Sequence, residues 1–126
     1  MIERNSLLRI RDNSGGKVVK TIKIQNYDAR QKGYAGHSVL AAVQSLRNKR
    51  KDKSKIKIKQ MINCLIIRSS SPLRRNDGSF IKFDDNSCCV LNRNNKLLGS
   101  RIFGAVNKDI RKAKYFRIIL LSKGGF

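Results

Sequence analysis

Apolar residues in this chain fall in short clusters separated by polar turns, and that rhythm continues for most of its length. LLRI (7–10) is followed by the turn DNSGG (12–16), and then by KVVKTIKI (17–24), whose β-branched content predicts a strand. VLAAVQSL (39–46) is too short for periodicity to decide between strand and helix. KIKIKQM (55–61) alternates cation and isoleucine, which predicts Ile56 and Ile58 on one face of a strand and the lysines on the other. INCLIIR (62–68) is a continuous apolar run and predicts a central strand.

Beyond it, Asn76-Asp77-Gly78 supplies the positive φ positions of a tight hairpin turn. Alternation in FIKF sets Ile81 and Phe83 on one face, with Phe83 in the core, and leaves Phe80 and Lys82 outside. CCVLN (88–92) predicts a short strand and RNNK (93–96) a turn. NKDIRKAKYF (107–116) is the one helical pattern. Asn107 serves as its N-cap, Asp109 lies in the first turn, and Arg111, Lys112 and Lys114 follow in the order the helix dipole favours. FRIILL (116–121) predicts a return to strand. Many short strands and one late helix predict a mainly β fold, a small β-barrel with an appendage.

Between the last two β-type clusters lies LLGSRIFGAV (97–106). Leu98, Ile102 and Val106 are read as anchors to the barrel. Gly99 and Gly104 let the backbone turn closely enough to hold Ser100 and Arg101 outward.

Charge adds a partner to this picture. The 126 residues suit one domain, 40% of them are apolar, and 29 Lys+Arg stand against 8 Asp+Glu for a net charge of +21. Such an excess repels itself in the folded monomer and calls for a polyanion, with nucleic acid first. The cations fall in groups, Arg30/Lys32, Arg47–Lys59 (with Lys49, Arg50 and Lys51), Arg68–Arg75 and Arg101–Arg117. Arg30 beside Tyr34, and Arg74/Arg75 near Phe80, combine a cation with a ring that can stack on an unpaired base. No apolar run approaches the roughly 20 residues of a membrane span.

Enzyme chemistry finds little support. His37 is the only histidine and has no paired nucleophile motif. Cys64, Cys88 and Cys89 lack zinc spacing and read as apolar fillers, Cys64 and one of the pair in the core. Asp84 and Asp85 read as ion-pair partners of Arg74 or Arg75, with a metal-dependent nuclease as the weaker alternative. The residues thus predict no catalytic site, no metal and no cofactor.

DNSGG, RRNDGSFIKFDDNSCCVLN and GSRIFGAVNKDIR, in that order and spacing, closely resemble the universal large-subunit ribosomal protein L-fourteen family, over nearly the whole chain. The resemblance implies a five-stranded β-barrel with a projecting β-ribbon and a short C-terminal helical element. On that plan the barrel spans about 1–96, and the interface loop, helix and final strand about 97–126. It implies binding to large-subunit rRNA and to neighbouring large-subunit proteins. It also implies a place at the subunit interface against small-subunit rRNA, and a ribosome-silencing factor as a further partner. Asn13, Ser14 and Gly15 match the family's N-terminal turn, and Arg74, Arg75, Asp77 and Gly78 its basic hairpin. Ser100, Arg101, Ile102, Phe103 and Gly104 match its interface segment, with Arg111 in the same block and Arg117 following on the same side.

The chain departs from the family pattern at His37-Ser38-Val39, at KQMI before the central strand, at Asn76 in place of a hairpin proline, and at Cys89 in place of a valine. These departures, the Asn/Ile/Lys-rich composition and the lack of a presequence pattern in MIERNSLLRI predict a mitochondrial copy, ahead of a chloroplast or bacterial one. The other reading is a free-standing basic β-barrel that binds RNA or acts as an RNA chaperone.

Overall fold

The computed structural model describes residues 1–25, 32–48, 52–113 and 115–126. Strands β1 (Leu7–Ile10), β2 (Gly16–Ile24), β3 (Ser38–Leu46), β4 (Met61–Arg68) and β7 (Ser87–Leu91) close into a barrel in the order β1-β2-β3-β4-β7. A two-stranded ribbon, β5 (Leu73–Arg74) with β6 (Phe80–Ile81), is inserted between β4 and β7. Its turn is built as the sequence predicts: Gly78 has φ +86°, and the Asp77 carboxylate accepts the Ser79 N–H at 2.9 Å. All barrel neighbours are antiparallel except β1 and β7, which run parallel through Arg9–Ser87 and Ile10–Cys88. That short parallel pair is the seam that closes the barrel.

Two apolar layers explain why β4 and β7 are mostly apolar runs while β1 alternates. Ile62, Cys64 and Ile66 of β4 and Cys88 and Val90 of β7 point into the barrel with Leu8, Ile10, Val19, Val39, Ala41 and Val43. Leu65, Ile67, Cys89 and Leu91 point outward and are covered by Ile102, Val106, Ile110 and Ile118 of the C-terminal segment. A strand buried on both faces takes apolar residues on both, and the interior of β4 departs from this only at Asn63, whose Oδ1 accepts from Gln25 Nε2 at 2.7 Å. All three cysteines are buried, Cys64 and Cys88 inside the barrel and Cys89 in the outer layer. Burial pushes the Cys89 thiol well above its ordinary range, and a contact with Cys64 together with burial does the same for Cys88.

The 39–46 segment, open between two forms in the sequence, is strand β3. Elsewhere the structure corrects the pattern. Residues 55–60 form no strand: Ile56 is buried in the barrel core, whereas Ile58 is 51% exposed. Here the backbone is held by local and crossing bonds, with the Gln60 side chain accepting the Lys57 N–H at 2.9 Å and Lys59 at φ +64°. The predicted helix 107–116 is instead a 3-10 turn over Lys108–Ala113. Asn107 does cap it, accepting the Asp109 N–H at 2.9 Å. FRIILL is not a final strand but the helix α1 (Phe116–Leu121). The barrel strands are paired on both sides and the openings beside β1 and β7 are taken by bridges at Ile102 and Leu97, so this segment satisfies its backbone as a helix and buries Ile118 in the outer layer. Phe83 lies beyond the two-residue strand β6 and is only half-buried. No helix among the described residues is long and apolar enough to cross a membrane.

Gly16 starts β2 directly over the core. A Cβ there would run into Ile10 Cδ1 and come within 2.6 Å of Ile56 Cδ1. Gly16→Val is expected to destabilise the fold by about 1–3 kcal/mol through overpacking, read as a lower urea midpoint with an unchanged m-value.

Candidate nucleic-acid interface

The turn after β1 organises the surface. In a parallel ladder the Arg11 carbonyl would accept the Val90 N–H, because the Arg11 N–H already donates to Cys88 O at 3.0 Å. Instead the Arg11 carbonyl accepts the Phe103 N–H at 2.8 Å. The Val90 N–H donates to Asp12 Oδ2 at 2.7 Å. The other Asp12 oxygen accepts the Ser14 N–H at 3.0 Å and also the Ser14 hydroxyl. Asp12 is 1% exposed. A buried carboxylate filled by such donors is satisfied in place, and it lets the ladder open to admit residues 101–103.

Asn13 completes the clip. Its Oδ1 accepts the Ser100 N–H at 2.8 Å and the Arg101 N–H at 3.4 Å, and its Nδ2 donates to Ser100 Oγ at 2.8 Å. A Cβ on Gly99 would stand 2.6 Å from that Asn13 Oδ1, so the close approach requires glycine. Gly104, at φ +85°, ends the loop. Ile102 and Val106 are buried and Leu98 packs on the barrel core, as the spacing predicts, while Ser100 and Arg101 are exposed.

Other predicted site residues are placed as follows. Ser14 and Gly15 are buried, so they hold the turn and do not present it. Lys32 is exposed and stands 3.4 Å from Glu3, an exposed pair of little energetic weight. Arg30, Lys49, Arg50 and Lys51 lie outside the described residues, as do the side chain of Lys112 and all of Lys114. Tyr34 is half-buried and edge-on to His37, whose Nδ1 accepts the Tyr34 N–H at 3.3 Å. Arg74 and Phe80 are direct cross-strand partners on the ribbon, and Phe80 is 68% exposed. Arg74 and Arg75 share a cleft of about 470 Å³ with Lys108 and Arg111, and Arg75 also donates to the Phe126 carbonyl oxygen. Arg111 lies over the Phe116 ring at 5.3 Å. Arg117 faces the 95–100 segment across a cleft of about 490 Å³. Phe103 is half-buried, with the Arg47 guanidinium 5.3 Å from its ring centre.

Three features escaped the sequence. The exposed Arg9, Lys17, Lys20 and Lys23 make the outer barrel wall basic; alternation in β1 could have found Arg9, but the three lysines recur every third residue and face outward together only because register shifts interrupt β2. The Asp12 clamp and the Arg47–Phe103 pair join distant segments and leave no local signal. Asp85 pairs with neither Arg74 nor Arg75, but with Arg11 at 2.9 Å and Arg68 at 3.4 Å. These two arginines lie at the ends of β1 and β4, so the triad binds both strands to the entry of β7. Among the described residues no three His, Cys, Asp or Glu side chains are grouped to hold a metal ion.

Burial pushes Asp85 up, but the hydrogen bond from Arg11 and the charge of Arg68 outweigh it and hold its pKa below the usual carboxylate value. Such a group stabilises the fold above its unfolded-state pKa, about 3.9. The contribution is lost as pH falls through the lower folded value. Asp85→Asn should therefore lower the melting temperature at pH 7 and narrow its gap to the parent chain as pH falls below about 3.9, measured by circular dichroism at fixed ionic strength.

Comparison with known proteins places this arrangement. The model of the family described as ribosomal protein L14p/L23e matches residues 1–124. The chain is 37% identical over 122 residues to large ribosomal subunit protein uL14 of Carsonella ruddii (strain PV), covering 97% of both chains. It is 33% identical over 123 residues to large ribosomal subunit protein uL14 of Petrotoga mobilis (strain DSM 10674 / SJ95), covering 98% of both.

Proposed function

The chain belongs to the ribosomal protein L14p/L23e family, and from that premise we propose that it is a structural constituent of a large ribosomal subunit, bound to its rRNA and to neighbouring proteins. The match to large-subunit proteins along nearly the full chain carries this reading. The family is a structural one, and the free-standing RNA-binding barrel is not favoured. The net charge of +21 supplies the electrostatic attraction. Arg74, Arg75, Lys32 and the barrel-wall cations are the proposed backbone contacts, with Asn13, Ser14 and Gly15 fixing the turn beside them. Rigid placement of those cations by the barrel is the whole mechanism: phosphate contacts set position and orientation.

The finer proposal is that Ser100, Arg101, Phe103, Arg111 and Arg117 belong to the face that meets the small subunit. Its support is the clip that holds Ser100 and Arg101 outward. A silencing factor docking there would block joining. A mitochondrial location is supported by the Asn/Ile/Lys-rich composition and the departures from the family pattern; the two relatives named above are bacterial.

A tagged copy should sediment with large subunits at low salt; sedimentation in light fractions contradicts the ribosomal reading. With about ten phosphates engaged, affinity for RNA should fall with log salt at a slope near −9. Arg101→Glu should leave the circular dichroism spectrum and large-subunit incorporation unchanged and reduce subunit joining. Joining at the parent rate would remove Arg101 from the interface.

A further inference from the structure

Where β1, the start of β2, the end of β3 and the 101–104 loop meet, the barrel wall opens into a cleft of about 630 Å³. This lies within the range of ligand-holding pockets, about 300–1,000 Å³. Its floor is apolar, from Ile10, Val18 and the Phe103 ring, and Arg9, Lys17 and Arg47 bring cations to it. The remaining cation, Arg11, is committed to Asp85. No acidic residue lines the cleft among the described residues. Arg47 is fixed from two sides, 5.3 Å over the Phe103 ring and donating to the Ile10 carbonyl at 3.2 Å. The planar pair is therefore in place before anything binds.

We propose that this cleft takes a single unstacked nucleotide of RNA, its base on the Arg47–Phe103 platform and its phosphates on Arg9 and Lys17. A paired helix hides its base faces and offers phosphates and sugar edges, which have no use for an apolar floor. An extruded nucleotide offers both an aromatic face and a charged backbone, and guanidinium and phenyl planes are each stacking surfaces for it. The inference rests on the RNA-binding reading, and it holds whether or not the RNA is ribosomal. It gives Phe103, at the margin of the proposed small-subunit face, a stacking role in the cleft beside β1.

The test uses the purified full chain and two short RNA duplexes, one fully paired and one with a single bulged 2-aminopurine. The bulged RNA should bind roughly tenfold more tightly, about the worth of one base stack, and its fluorescence should be quenched on binding. Phe103→Leu and Arg47→Gln should abolish both the preference and the quench while keeping affinity for the paired duplex. Arg9→Ser/Lys17→Ser, on exposed positions that leave the core untouched, should weaken binding of the bulged RNA more than of the paired one. Equal affinity for the two duplexes, or a quench that survives Phe103→Leu and Arg47→Gln, overturns the cleft assignment alone. Binding to neither duplex at low salt overturns the RNA reading as well. Displacement of the bulged RNA by an acidic, aromatic peptide at similar affinity would assign the cleft to a protein segment.

Discussion

The buried carboxylate of Asp12 is the interaction on which the rest of this surface depends. By accepting the Val90 N–H it replaces a ladder partner at the barrel seam, and by accepting from Ser14 it shapes the turn that follows. The Arg11 carbonyl is thereby free to take the Phe103 N–H, so the C-terminal segment joins the sheet where β1 leaves it. A buried donor left without a partner costs about 1–3 kcal/mol, so the substitution of side chain for backbone has to be complete. At the Val90 N–H and the Arg11 carbonyl it is: both have partners.

From that seam the two apolar layers follow. The inner one fills the barrel, and the outer one fastens residues 102–118 over β4 and β7. The functional surface is then assembled from parts held by this frame: the Asn13 clip with Ser100 and Arg101, the basic ribbon with Arg74 and Phe80, and the cleft with Arg47 and Phe103. Asp85 performs a related task at the entry of β7, tying the ends of β1 and β4 by charge. Two of the chain's few carboxylates thus secure the closure of a strongly cationic barrel.

Much of this was legible because it is local. The β-branched run of β2, the doubly buried run of β4 and the Asn-Asp-Gly turn each carry their own signal. So do the apolar anchors Leu98, Ile102 and Val106 and the glycines that bracket Ser100 and Arg101. What was hidden depends on topology. FRIILL has strand composition, yet it is helical: the openings beside β1 and β7 are already taken by bridges at Ile102 and Leu97. Ile56 and Ile58 look equivalent in sequence, yet only Ile56 lies beneath Gly16, where the core needs filling. The partners of Asp85 are set by which strand ends converge, and nothing near residue 85 in the chain announces Arg11 or Arg68. In the candidate site, the glycine-bracketed pattern predicts Arg101 outward and it is exposed, whereas Ser14 and Gly15 match a motif whose residues are buried in the turn.

The turn after β1 holds the Arg101 loop in its presented form. Native-state hydrogen exchange on Asn13→Ala tests it most directly. Of the three Asn13 hydrogen bonds removed, the one on the Ser100 amide is worth about 1 kcal/mol, so exchange of that amide should speed at least roughly fivefold, while the Val90 amide, held by Asp12, keeps its protection. Unchanged exchange at Ser100, or an equal acceleration at both amides, would contradict the account.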